Sequence, residues 1–183
     1  MCQIIAVSGP IAVGKSTLID ELVKLVGASR ISTRHLIQSL RPGVPNERGP
    51  LQVAGDELDR MTDGKWVAQA LLDHTRDSNE GAIVIVDSVR TLEQVSHLRK
   101  KFSIVHHVHL TASDDVLRKR FNHRKQQNDP GVREFATYEE AKANATEAGI
   151  AGLGGNADLC IDMGERSPAE AASCVIESRR LGQ

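Results

Sequence analysis

Aromatic side chains are scarce in this chain: one Trp, one Tyr and three Phe among 183 residues. So few rings exclude a base-stacking platform for single-stranded nucleic acid. Cysteine is nearly as sparse. Cys2, Cys160 and Cys174 are odd in number and lack metal-site or C-x-x-C spacing. They read as free thiols of a reducing, cytoplasmic compartment. Neither sign of charge dominates, with 23 Lys and Arg against 24 Asp and Glu, a formal charge of −1 and a pI near 6.7. That balance offers no polybasic face to nucleic acid or to a membrane surface. No apolar run approaches the roughly 18 residues that a membrane helix needs. An apolar run begins almost at the N-terminus, so no secretory leader is expected. Repeats and low-complexity tracts are also missing. The expectation is one domain over residues 1–183, large enough for a real core, working as a monomer or homodimer.

Against this background one motif stands out. Gly9-Pro10-Ile11-Ala12-Val13-Gly14-Lys15-Ser16-Thr17 spells G-x-x-x-x-G-K-[ST], the phosphate-binding P-loop. Its context fits. Gln3 to Ser8 is an apolar, β-branched run that reads as a buried strand, and Ser16 to Val26 reads as a helix with Leu18, Leu22, Leu25 and Val26 on one face. Gly9 and Gly14 permit backbone conformations and close approaches that a Cβ would block. The N–H groups of Ala12, Val13, Gly14, Lys15 and Ser16 can then converge on one point, reinforced by the helix N-terminus. Lys15 can reach β and γ oxygens, and the Ser16 hydroxyl can ligate Mg²⁺. Thr17 either contacts the α-phosphate or stabilises the first helical turn. Purine nucleoside triphosphate, with ATP as donor and Mg²⁺ as cofactor, is the expected ligand. The motif does not name what receives the phosphate.

Apolar runs alternate with helical patterns, which predicts parallel βαβ units. Strands are expected near 3–8, 29–32, 82–87, 103–110 and 158–162. Helices are expected near 15–26, 33–40, 51–60, 65–77, 91–101, 113–125, 137–148 and 168–180. Two segments exceed a minimal repeat. Residues 33–80 insert helices and a Pro/Gly loop, and read as an insert that holds an acceptor. Residues 124–136 are rich in Arg and Lys and pass through Asp129-Pro130-Gly131, a turn sequence. They read as a lid closing over the reacting phosphates.

Ile83-Val84-Ile85-Val86-Asp87 is an apolar strand ending in a carboxylate. At the carboxyl edge of such a sheet Asp87 can hold a metal-bound water, orient an acceptor, or cap the next turn. Arg90 follows close enough to enter the same crevice and capture phosphate bidentately. Arg34, Arg41 and Arg48 lie in the first insert. Arg120 and Arg124 share one helix face, with Arg118 turned away and Arg133 beyond. Arginines closing over the site stabilise charge that develops in phosphoryl transfer. His106-His107-Val108-His109 reads as a structural cluster on a strand rather than a metal site, because no carboxylate or Cys lies at ligand spacing. Trp66 reads as core.

Together these landmarks resemble the nucleoside monophosphate kinase family of P-loop kinases, adenylate kinase-like and dephospho-CoA kinase-like. Ile31-Ser32-Thr33-Arg34-His35-Leu36-Ile37 is similar to the acceptor-side I-S-T-G-D-x-[LI], and Asp87-Ser88-Val89-Arg90-Thr91-Leu92-Glu93-Gln94 to a shortened D-G-F-P-R-T-x-x-Q. Arg48 to Leu58 resembles R-x-x-L-Q-x-x-G-D-x-L of the second group. The resemblance implies a three-layer α/β/α fold with a five-stranded parallel sheet in the order 2-3-1-4-5, an acceptor insert and a lid. It assigns Arg120 to the base of ATP and Arg124 to its phosphates. Lys15, Asp87, Arg124 and Arg133 then become the catalytic group, and Arg34, Arg41, Arg48, Arg90 and Gln94 the acceptor-binding group. The sequence also departs from the pattern. Arg34-His35 replaces G-D, Gln38 stands where an arginine grips the acceptor, and Ser88 replaces a glycine. Asn144-Ala145-Thr146-Glu147 replaces D-x-R-E, without its arginine. The leading expectation is phosphoryl transfer to a nucleoside monophosphate, including deoxy or modified ones. The alternatives are a dephospho-CoA kinase-like or other small-alcohol kinase, with Asp87 as base, and a nucleotide-binding regulatory protein with little turnover.

Overall fold

The computed structural model of the chain describes residues 2–181. Met1, Gly182 and Gln183, at the ends of the expected domain, lie outside the described residues. Five strands form one parallel sheet: β1 (Gln3–Ser8), β2 (Ser29–Ser32), β3 (Ile83–Asp87), β4 (Ile104–Thr111) and β5 (Leu159–Asp162), in the order β2-β3-β1-β4-β5. This is the order that the family resemblance implied. β1 is central and buried on both faces, which is why it reads as a continuous apolar run. Its alternation sends Ile4 and Ala6 into one core and Ile5 and Val7 into the other.

Helices cover both faces. On one side α1 (Lys15–Val26), α6 (Asp114–Gln126), α7 (Tyr138–Ala143) and α9 (Pro168–Leu181) supply Leu18, Leu22, Phe121, Tyr138 and Val175. On the other, α2 (Thr33–Leu40), α3 (Arg48–Thr62), α4 (Lys65–His74) and α5 (Leu92–Lys101) supply Leu36, Leu58, Trp66, Leu71 and Leu98. Trp66 is core, as expected, and its Nε1 donates to Asp59 at 2.6 Å. The result is a three-layer α/β/α sandwich.

The helices depart from the sequence reading most in two places, and α4 also ends at His74, short of the expected residue 77. Helix α3 begins at Arg48, ahead of the expected residue 51, because Pro50 falls in its first turn, where a missing N–H costs nothing. The single helix expected over 137–148 is two. It breaks at Asn144, whose backbone is extended (φ −61, ψ 135), and resumes as α8 (Ala145–Ile150). A short 3₁₀ segment, Ala151–Asn156, then leads into β5. The Ala145-Thr146 pair, at the arginine of the D-x-R-E pattern, lies outside the described side chains. Among the described residues no helix is long and apolar enough to cross a membrane, and Cys2, Cys160 and Cys174 are free thiols.

Candidate functional site

β1 ends at Ser8 and the chain turns at once through Gly9 into the loop before α1. Gly9 has φ 145, and a Cβ there would meet the Leu110 carbonyl oxygen at 2.7 Å. Gly14 caps α1 at φ 106, and Ala12 itself sits at φ 63. The first intrahelical bond runs from Leu18 N–H to the Gly14 carbonyl. The N–H groups of Lys15, Ser16 and Thr17 therefore have no helical acceptor and point out of the helix end. Thr17 Oγ1 donates to the Gly14 carbonyl at 2.8 Å, the helix-stabilising of its two expected roles.

The loop opens onto a cavity of about 1000 Å³. Because β1 is central, the cavity extends to both sides of it. Toward β4 and β5 it is walled by Lys119, Arg120, His123, Arg124, Met163, Arg166 and Pro168. Arg120 bridges the Val13 carbonyl at 2.9 Å and the Met163 carbonyl at 2.7 Å, tying α6 to the loop. Arg124 is held by a bidentate pairing with Asp129 at 3.0 and 3.2 Å. Toward β2 and β3 the walls are Arg30, Ser32, Thr33, Arg34, Arg48, Asp87, Ser88 and Arg90.

Lys15 stands between these halves. Its Nζ donates to the carbonyls of Gly9 at 2.6 Å and Pro10 at 2.9 Å. Burial lowers its pKa from 10.5 to about 8; Glu147 and Asp87 oppose that fall, while Arg90 and Arg48 add to it. The guanidinium of Arg90 is likewise pushed down, first by burial and then by Arg48. Among the described residues that guanidinium has no hydrogen-bond or ion-pair partner. Only its backbone N–H is engaged, by Gln94 Oε1 at 2.9 Å. Three cations therefore crowd the wall of one cavity, and among the described residues the Arg90 guanidinium is the one without a partner.

The structure gathers Gly9, Ala12, Val13, Gly14, Lys15, Ser16, Thr17, Arg34, Arg48, Asp87, Arg90, Arg120 and Arg124 around this cavity. It leaves three expected site residues elsewhere. Arg133 is exposed, and only its backbone is engaged: its N–H donates to the Asp129 carbonyl and its carbonyl accepts from Lys125. Arg41 is exposed, with Nη2 on Met61 Sδ at 3.8 Å. Gln94 is buried beneath the cavity, where its amide donates to both Asp59 oxygens and its carbonyl braces the Arg90 backbone. Desolvation is the main reason the Asp59 carboxyl is pushed above its usual range.

Two site residues escaped the sequence reading. Arg30, on β2, places Nη2 2.5 Å from Asp87 Oδ2 and 3.4 Å from Ser16 Oγ, and pairs with Asp20 at 3.1 Å. Glu147, on α8, accepts the Ile11 N–H at 2.8 Å and pairs with Arg48 at 3.1 Å. Neither has a local signature, because their partners lie 57 and 136 residues away. The histidine strand is structural in its contacts. His107 Nε2 and His109 Nδ1 each lie 2.8 Å from the buried Ser8 Oγ. Burial lowers both pKa values, that of His107 to about 4. Among the described residues no group of three or more His, Cys, Asp or Glu converges as a metal cluster.

A P-loop at the carboxyl edge of a 2-3-1-4-5 parallel sheet, opening on an arginine-walled cavity, defines a P-loop NTPase α/β/α fold. Within that class the chain belongs to the AAA domain family, whose model matches residues 5–143. Solved structures agree on the fold. The Deinococcus radiodurans tunicamycin resistance protein is 20% identical, with a TM-score of 0.62 and coverage of 100% of this chain and 96% of that one. Shikimate kinase from Aquifex aeolicus is 14% identical, with a TM-score of 0.59 and coverage of 99% and 100%. The Mycobacterium tuberculosis APS kinase CysC, in complex with AMPPNP and APS, is 14% identical, with a TM-score of 0.59 and coverage of 97% of both chains. At these identities the likeness is one of fold. No curated protein matches the sequence.

Proposed function

We propose that the chain is a Mg²⁺-ATP-dependent kinase whose acceptor is a phosphate monoester, a nucleoside monophosphate being the leading class. The observation that carries this is Arg90. A desolvated guanidinium without a side-chain partner, beside Lys15 and Arg48, is costly unless an anion completes it. An acceptor phosphate placed there would satisfy Arg90 bidentately and lie opposite a donor seated on the loop. Arg34, at the mouth of the same half, adds positive charge.

The donor half follows the loop. The N–H groups at the start of α1 and the Lys15 ammonium would cradle the β- and γ-phosphates, with Arg120 along the base and Arg124 toward the phosphates. The Ser16 hydroxyl and Asp87 carboxylate would hold Mg²⁺. Both are hard oxygen donors, and both already converge on one cation, the Arg30 Nη2, at 3.4 and 2.5 Å. When bound, the ion supplies neutralisation of charge on the β- and γ-oxygens. A phosphate acceptor is anionic before it attacks, so no side chain need remove a proton. Asp87 is poorly placed for that task in any case. Oδ2 pairs with Arg30 and Oδ1 accepts from Ser88 Oγ at 2.9 Å, so both oxygens are already turned toward other donors.

The test is ATP turnover across a panel of ribo- and deoxynucleoside monophosphates, alongside dephospho-CoA and small alcohols. Turnover with a monophosphate is expected. Arg90→Ala should lower the acceptor's kcat/KM by about 100-fold, the worth of a lost charge-assisted pair, with the KM for ATP little changed. Turnover confined to alcohols, or an Arg90→Ala variant that loosens only ATP, would refute the assignment.

A further inference from the structure

One N–H of the loop, that of Ile11, is already engaged by an anionic side chain of this same chain. Glu147 has 9% of its side chain exposed, and Arg48, its partner, 14%. One carboxylate oxygen accepts the Ile11 N–H at 2.8 Å and the other takes Arg48 Nη2 at 3.1 Å. Ile11, Lys15 and Arg48 all line the cavity with Glu147, and Glu147 is the foremost negative charge acting on the Lys15 ammonium. A carboxylate held by a loop N–H, a guanidinium and a nearby ammonium sits in the surroundings that suit a phosphoryl group.

The partner Arg48 is itself a junction. From α3 in the first insert it reaches Glu134 at 2.9 Å and the Gly131 carbonyl at 3.2 Å, and its guanidinium carbon lies 4.8 Å from the centre of the Phe135 ring. The Glu147–Arg48 pair therefore fastens the loop, the insert and the 124–136 segment to one another.

We infer that Glu147 is the residue that makes this site discriminate triphosphate from diphosphate, by occupying the place where the donor's terminal phosphate meets the loop. The inference rests on the donor-site reading above. A diphosphate fills the N–H groups at the start of α1 and leaves Ile11 to Glu147. A triphosphate carries one more anionic group toward Ile11, Lys15 and Arg48, and like charge expels the carboxylate. Arg48 then loses one anion and gains another, and the insert and the 124–136 segment are released from Glu147 only when a transferable phosphoryl group has arrived. Glu147 acts here as a specificity residue. It has no bond to make or break.

The test is the ratio of ATP to ADP affinity, by titration calorimetry on the full chain with Mg²⁺. Glu147→Gln keeps the shape and the acceptor for Ile11 N–H but removes the charge. It should tighten ATP by about tenfold, the difference between displacing a charged and a neutral hydrogen-bond acceptor, and change ADP by less than about twofold. Glu147→Ala should raise the same ratio, which separates the effect from local packing. An unchanged ratio in both variants, or ATP weakened alongside ADP, would overturn the inference while leaving the donor site standing. Failure of the wild-type chain to bind either nucleotide would overturn the donor-site reading and this inference with it.

Discussion

Replacing Lys15 with Met should make the protein more stable at neutral pH while abolishing its turnover. The ammonium is confined among Arg90, Arg48 and a desolvating wall, and its pKa falls from 10.5 to about 8. Each pH unit of that interval corresponds to about 1.4 kcal/mol, so the buried charge costs on the order of 3 kcal/mol at pH 7. Lys15 is half-buried at a cavity mouth rather than sealed, and water screens part of the cost, leaving about 2 kcal/mol. Removing the amine also deletes its bonds to the Gly9 and Pro10 carbonyls, worth about 1 kcal/mol where water can replace it. Methionine retains most of the packing volume. The net expectation is a gain of about 1 kcal/mol, or a rise in Tm of about 2–4 °C for a chain of this size. The pH dependence has a definite sign. Below pH 8 both folded and unfolded wild type carry the proton, and the gap is constant. Between pH 8 and 10.5 the unfolded chain keeps a proton that the folded chain has shed, so wild-type stability climbs relative to the variant. Urea denaturation of both proteins at pH 7 and pH 9.5 reads this directly, because other groups cancel in the difference. By pH 9.5 the advantage of Lys15→Met should have vanished or reversed. A variant less stable than wild type at pH 7, or a gap that does not move with pH, would refute the reasoning.

Two further perturbations probe the frame of the site. Ser88 holds a left-handed backbone (φ 73), the region that favours glycine. Ser88→Gly and Ser88→Ala both lose the hydroxyl on Asp87, so the glycine variant should melt about 2–4 °C above the alanine variant by relief of about 1 kcal/mol of strain; equal melting temperatures would contradict this. His107 is buried with its pKa lowered to about 4. As pH falls from 6.5 toward 4 the unfolded chain takes a proton that the folded chain refuses, so stability should drop by up to about 3 kcal/mol. His107→Asn should flatten that acid limb in urea denaturation, and an unchanged slope would show that other groups cause it.

Sequence and structure meet most closely where the physics is local. The parallel βαβ units follow from alternating apolar runs, while the order of the five strands came from the family resemblance. The P-loop residues are legible because their spacing is their mechanism. Ser88 was legible as a departure, and its positive φ explains why glycine belongs at such a position. The misses are contacts between distant segments. Nothing around Ser29-Arg30 in the sequence says that Arg30 will reach Asp87, since β2 lies beside β3 only after the intervening insert has folded back. Glu147 was obscured in the same way, by a break at Asn144 inside a run that reads as one helix. Arg41 and Arg133 show the converse. Arginine content near a crevice does not say which guanidinium enters it, because both side chains leave the backbone outside regular structure, Arg41 past the end of α2 and Arg133 in a turn beyond α6.

The hydroxyl of Ser8 has a consequence of its own. It owns a single hydrogen, yet lies 2.8 Å from one nitrogen of each of two imidazoles. Both rings are held neutral by burial, so at least one of them donates to Ser8 and no more than one can accept from it. The tautomers of the two rings are thereby linked through one hydroxyl hydrogen, and the residue that owns it is the one that precedes Gly9. Nitrogen-15 chemical shifts of the two rings would read out which of them donates.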